Sequence, residues 1–326
     1  MSTKRGVRYA ILSATLMGLT PIFGKQALLA GLGSLPLVAL RTSGAAILLL
    51  LIILFFKRSY LTIFPLGLVG CLIAGSLNGA GSILYYSSLA RIDASLGQLL
   101  FMMYPVMIAV LFYADGQRPS WITILRLGIS IPAVYLLLHP ASTSIDLIGA
   151  AMMLIAAFLY ALHIPINQRV LYEVPAPTVT LYTLLAMTAV VLVAFVLGSQ
   201  PLIPIPADAV QPLVLLTAVT FISRLTLFAG VKFIGGIQTS IIGLGELVVT
   251  ILFSFLLLGE SLSDLQWLGA LILVTSLILG VFDRKPTQRA RTRGWLYWLR
   301  PPVPPTPVAL SESGETQENQ PHTLPE

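Results

Sequence analysis

The chain has 326 residues, of which 56% are hydrophobic and 10% charged, with a net charge of +6 and a mean hydropathy of +0.91. A soluble domain of this size carries about a quarter charged residues, so water cannot be the main solvent and a lipid bilayer is the expected one. The single cysteine, Cys71, excludes an intramolecular disulfide and a cysteine metal site, and no cofactor or metal is expected. Six basic residues lie between Arg284 and Arg300, so the positive excess belongs mostly to one tail and does not mark a nucleic-acid face.

Apolar stretches of about 20 residues match the roughly 30 Å of hydrocarbon that a helix must cross. Punctuation by polar, Gly and Pro residues predicts ten helices, at 8–29, 35–56, 65–89, 94–114, 120–138, 146–168, 177–198, 210–233, 237–258 and 264–282. Lys4 and Arg5 precede a full-length apolar run, which reads as a first span and not as a cleaved signal. Short connectors such as 31–34, 91–93 and 235–236 imply antiparallel neighbours. If the N-terminus is cytoplasmic, Lys4, Arg5, Arg8, Lys57, Arg58, Arg118, Arg169 and Lys232 fall inside. The outer loops then hold Arg91 against Asp93, Asp146, Asp208, Glu260 and Asp264. An even number of spans returns the C-terminus to the cytoplasm. There the basic stretch 284–300 carries Trp295, Tyr297 and Trp298, suited to an anionic leaflet, and 301–326 has a disordered composition.

The second half matches the first at an offset of about 142 residues. Ser13 to Gly18 fall on Ala156 to Ala161, Tyr104-Pro105-Val106 on Glu246-Leu247-Val248, and Leu127-Gly128 on Leu268-Gly269. Five helices per repeat is an odd number, so the second repeat must be inverted, as in alternating-access transporters. Arg118 and its counterpart Glu260 close equivalent helices on opposite sides, which agrees. The expected division is an N-terminus at 1–7, repeats at 8–138 and 146–282, and a tail at 283–326.

These features, with Ala39-Leu40-Arg41 in the second helix, Tyr104-Pro105-Val106 in the fourth, and Glu246 and Leu258-Gly259-Glu260 in the ninth, resemble an EamA-type member of the drug/metabolite transporter superfamily. The resemblance spans about 8–282. It implies an all-α fold of ten transmembrane helices as two inverted five-helix repeats, in the plasma or inner membrane, around a central cavity. It also implies secondary transport of small metabolites or drugs, often outward and often proton-coupled. The chain departs from the family pattern at Leu247, where Pro usually follows the acid, at Gly116-Gln117-Arg118 for Gly-Glu-Arg, and at Met17 for Trp.

Ionisable groups at bilayer depth are functional candidates. Glu246 and Arg224 each lie eleven residues from Gly235, which places both about 16 Å from that turn at 1.5 Å per residue. The expectation is an ion pair lining the cavity, broken by a proton or an anionic substrate group. Lys25 and Arg41 lie eight residues either side of Gly33, at one depth below the outer surface. They read as a vestibule for anionic or zwitterionic solutes or, for Lys25, as a side chain snorkelling to headgroups. Arg126 reads as an interfacial anchor.

His163 is a candidate proton relay or a packing histidine, and Asn78, Gln98, Tyr85, Tyr86, Tyr104 and Tyr160 can hydrogen-bond a solute. Pro21, Pro105, Pro132 and Pro165, and the run Asn78-Gly79-Ala80-Gly81-Ser82, are expected to interrupt helices as hinges or cavity walls. The expected partners are a small-molecule substrate, lipid, protons as a coupling ion and a second copy in a homodimer. An intramembrane enzyme or a receptor is the alternative class. No His-x-x-Glu-His, Gly-x-Ser-x-Gly or phosphate-loop pattern is present, which favours neither an enzyme nor an ATP-driven pump.

Overall fold

The structure is a computed structural model that describes residues 2–114, 120–138, 146–198, 204–234, 239 and 242–279. The readings of Gly116 to Arg118, of the 235–236 turn and of the tail after 279 lie outside the described residues. The described helices are α1 (Ser2–Leu29), α2 (Ser34–Phe56), α3 (Pro65–Leu89), α4 (Ala94–Phe101), α5 (Tyr104–Ala114), α6 (Trp121–Leu137), α7 (Leu147–Leu171), α8 (Ala176–Leu197), α9 (Ala207–Ile234), α10 (Gly245–Leu258) and α11 (Asp264–Leu279). A short 3₁₀ turn at Arg58–Leu61 follows α2. Seven helical segments are long and apolar enough to cross a bilayer, with Ala94–Leu111 taken as one. The described parts of α6, α10 and α11 are apolar but shorter.

Local chemistry sets the ends. Ser120 accepts from the Thr123 amide at 2.9 Å to cap α6, and Asp146 accepts from the Gly149 amide at 3.0 Å to cap α7. Gly31 and Gly259, with φ of 91° and 68°, close α1 and α10 in the left-handed region. Gly259 leads the chain to Glu260. That carboxylate accepts from the Ala94 and Ser95 amides at 2.8 and 2.9 Å and from the Ser95 hydroxyl at 3.0 Å. An acid from the second half thus satisfies the free amides at the start of α4 in the first half, where the helix dipole also favours it.

The proline and glycine expectations divide. α1, α6 and α7 run unbroken through Pro21, Pro132 and Pro165, and α3 runs unbroken through Asn78 to Ser82. The expected interruptions at these places are therefore corrected. Neighbouring helices seat the small residues of α3 and the helices keep their remaining hydrogen bonds. Among the described residues the fourth span breaks, at Met102 and Met103 between α4 and α5, just before Pro105. The proline ring crowds the helical position of the residue before it and removes one amide donor, which permits a break without requiring one. A turn at Leu244, between helical Gly243 and α10, lies at the equivalent place in the second half.

Most large contacts cross between the halves: α1 packs on α9 and α10, α3 on α7 and α8, α2 on α8 and α9, and α6 on α11. Glycine permits the closest approaches. A Cβ on Gly75 of α3 would lie 2.5 Å from the Thr183 carbonyl oxygen of α8, and one on Gly18 of α1 would lie 2.6 Å from the Glu246 carbonyl oxygen of α10. The outside is apolar: Phe56 is 84% exposed and Leu197 77%. Thr42, Gln98, Ser88, Thr183 and Ser276 are buried. This inside-out distribution suits lipid as the surrounding solvent. Arg126 donates to the Ser276 carbonyl at 2.9 Å, anchoring α6 to α11 and not only to the interface.

Among the described residues, ion pairs lie at helix ends, Arg91–Asp146 at 2.8 Å and Arg169–Glu173 at 2.6 Å. The Gly149 amide, then the Arg91 guanidinium, hold the Asp146 carboxyl below its ordinary value. A lowered folded value means that the ionised cap stabilises at neutral pH, and that this contribution is lost as pH falls through the lowered value. Asp146→Asn should therefore melt below the parent protein near pH 7, the difference narrowing as the pH falls below the ordinary Asp value. A difference that stays constant over that range contradicts the assignment.

Candidate functional site

A cavity of about 80 Å³, enough for several waters or a small solute, lies where α1, α2, α3, α4, α7, α9 and α10 converge. Arg41, Asn78, Ser82, Arg224 and Glu246 provide its polar wall, and Met17, Phe101, Tyr85, Tyr86 and Tyr160 much of the rest. Each polar side chain arrives from a different helix, except that Asn78 and Ser82 lie one turn apart on α3. Both halves of the chain therefore build the site.

Glu246 lies in the first turn of α10, where the free amides and the dipole of a helix N-terminus favour a carboxylate. Its Oε1 accepts from Gln98 Nε2 at 2.8 Å, and Gln98 Oε1 accepts from the Tyr85 hydroxyl at 3.0 Å. Gln98 sits behind the wall, at 1% exposure. Arg224 of α9 directs both Nη atoms at the Asn78 side-chain oxygen, at 2.9 and 2.6 Å. The predicted Arg224–Glu246 ion pair is therefore not made, although both groups line one cavity. α1 explains this: it packs against both α9 and α10, so the two helices are not the adjacent hairpin that the short connector suggested.

Arg41 is 5% exposed. Its Nη1 donates to Thr220 Oγ1 at 3.1 Å, its Nη2 to the Ser82 hydroxyl, and its guanidinium carbon lies 4.5 Å from the centre of the Tyr86 ring. Its Nε and the Tyr86 hydroxyl are buried and have no hydrogen-bond partner among the described residues. Lys25, expected beside Arg41, is elsewhere. Its Nζ donates to the Leu89 and Ile92 carbonyls at 2.8 Å each, capping the end of α3. The joint vestibule is thus corrected: α1 turns Lys25 towards α3, while α2 turns Arg41 inward.

His163 lies outside the cavity wall. Its Nδ1 donates to the Ala74 carbonyl at 2.9 Å and its Nε2 accepts from Asn167 at 3.1 Å. Both nitrogens are engaged by neutral groups, the arrangement of a packing histidine. Tyr104 lies behind the wall as well, edge-on to Tyr160 with ring centres 5.1 Å apart. Phe101 touches both rings, which links the break before Pro105 to the aromatic wall. Sequence reasoning passed over Thr220, Ser223, Thr20 and Phe101. Thr220 and Ser223 could have been found as polar residues within about one turn of Arg224.

This architecture defines a multi-pass membrane protein with a polar cavity enclosed by cross-packed helices. A family model for EamA-like transporters matches residues 4–139 and again 147–282. The chain belongs to the EamA-like transporter family, which makes it a membrane transporter of the drug/metabolite class. A solved crystal structure of a protein superposes on it with a TM-score of 0.57 at 17% identity, covering 83% of this chain and 96% of the other, a likeness of fold alone. No curated protein matches the chain.

Proposed function

We propose that the protein is a secondary transporter that carries a small polar solute across the cell membrane by alternating access, with the central cavity as the solute site. On this reading ten spans form two inverted five-helix repeats at 8–138 and 146–282, with both termini cytoplasmic. The observation that carries it is the pattern of packing. Exchange of the halves turns α1 on α9 into α7 on α3, turns α2 on α9 into α8 on α3, and returns α2 on α8 and α6 on α11 to themselves. Such a pattern follows from an approximate two-fold between inverted repeats, and it lets each half take the other's role as the cavity opens to either side. The breaks at Met102 and Leu244, related by the same offset, support a bend at matching places in the two halves.

Glu246 is the proposed proton carrier. It is the acid on the cavity wall, and its described partner is the neutral amide of Gln98. The charged or titratable groups that share the cavity with it are Arg41, Arg224, Tyr85, Tyr86 and Tyr160. A proton on Glu246 leaves the two guanidinium groups unopposed. Proton uptake and the binding of negative charge should therefore reinforce each other.

The test is solute flux in proteoliposomes containing the full chain, with and without a pH gradient. Saturable movement of at least one small polar solute, absent from protein-free liposomes, is the expected result. Folded protein that moves none of a broad panel of amino acids, organic acids, sugars and amines would overturn the proposal.

A further inference from the structure

We infer that the cavity recognises a small carboxylate-bearing solute, its carboxylate held by Arg41 and Arg224 and its remainder against the aromatic wall. This inference rests on the transport reading for its biological meaning but on separate observations for its chemistry. The cavity wall holds two guanidinium groups and one carboxylate. The carboxylate already has a donor in Gln98 and a helix N-terminus behind it. The guanidinium groups have only neutral acceptors: Thr220 and Ser82 for Arg41, and Asn78 for Arg224.

A buried cation without a counter-ion is costly, and hydroxyl or amide oxygens repay that cost only in part. A solute anion repays the rest. Planar guanidinium donors match a carboxylate in two-point geometry, and such charge-assisted bonds are roughly twice as strong as neutral ones. Two residues of that wall carry a buried donor with no partner among the described residues, Nε of the 5%-exposed Arg41 and the hydroxyl of the 1%-exposed Tyr86. Buried donors are almost always satisfied in a settled interior. Both belong to side chains that line the cavity.

The rest of the solute is specified by the other wall. Met17, Phe101, Tyr85 and Tyr160 present apolar or aromatic surface, which suits a small solute with an apolar or aromatic remainder. A cationic amine is disfavoured, because two guanidinium groups against one carboxylate leave the wall net positive. Lys25 adds nothing to the anion site, since it is spent on α3.

The experiment compares isosteric probes on the full chain in lipid nanodiscs. Benzoate and lactate are titrated against benzamide, lactamide and benzylamine, with thermal stabilisation and calorimetry as readouts. Either carboxylate should stabilise the protein, while its amide and the amine should not. Arg41→Gln and Arg224→Gln should each weaken carboxylate binding about tenfold or more. Arg169→Gln, at the surface pair with Glu173, should leave it unchanged. Equal stabilisation by benzamide or benzylamine, or no binding of either carboxylate, overturns the inference using the unaltered protein, so it does not depend on the variants folding.

Flux separates the two proposals. A carboxylate that binds but does not cross proteoliposomes leaves the anion site standing and removes the transport reading. Flux confined to neutral or cationic solutes keeps the transporter and removes the anion site.

Discussion

Glu246→Gln should leave a folded protein whose solute movement no longer responds to a pH gradient. The substitution retains an acceptor oxygen for Gln98 at the 2.8 Å contact, so local packing survives. What disappears is a group that can gain or lose a proton on the cavity wall. On the proposed mechanism, protonation of Glu246 makes the cavity more positive, and Arg41 and Arg224 should then hold negative charge more tightly. Acidification on the solute side should therefore raise apparent affinity, and the variant should lose that dependence. Gradient-driven accumulation should fall at least about tenfold, which corresponds to about 1.4 kcal/mol of coupling, while exchange at equal pH continues. A variant that accumulates solute like the parent, with the same pH dependence, would remove Glu246 from the coupling mechanism.

Gly75→Leu should cause the largest loss of stability. Even the Cβ would meet the Thr183 carbonyl oxygen at 2.5 Å and the Ala186 Cβ at 2.6 Å. A side chain can rotate away, but a carbonyl in a helix cannot move without disturbing its own hydrogen bond. α3 and α8 would have to separate. Asn78 is one turn further along α3, so the clash also loosens the support of Arg224. Overpacking of this kind costs about 1–3 kcal/mol and sometimes more. Thermal melting with size-exclusion chromatography in detergent should show a lower midpoint and a smaller folded fraction. Ala186→Gly relieves one of the two contacts, so it should rescue only part of the loss. A Gly75→Leu protein as stable as the parent would mean that α3 and α8 are not packed this closely.

The helical plan could be read from composition because each span must satisfy its own backbone within lipid. That requirement makes hydropathy and length sufficient to place most helices within a few residues. It also explains where the reading erred. Proline and glycine were treated as interruptions, yet Pro21, Pro132 and Pro165 lie within continuous helices and only Pro105 follows a break. A missing amide donor permits a bend, but packing decides whether one occurs.

The polar residues show the same division. Glu246, Arg224, Arg41, Asn78 and Tyr160 do converge on one cavity, while Gln98 and Tyr104 lie just behind it and His163 and Lys25 serve packing and capping. Depth follows from the sequence, since each residue adds a known rise along a helix. Direction around the helix axis depends on which helices are neighbours, and that is set by contacts between distant parts of the chain. Hence the Arg224–Glu246 pair could be placed at a common depth but not excluded, because the interposed α1 is invisible in a local count from Gly235.

By itself the sequence determined that this chain lives in lipid, that its two halves match, and that a few charged side chains lie where charge is costly. Tertiary structure decided which of them share a cavity and which partners they take. The physical reason is that burial in a bilayer is a property of each segment alone, whereas the pairing of buried charges depends on the helices placed between them.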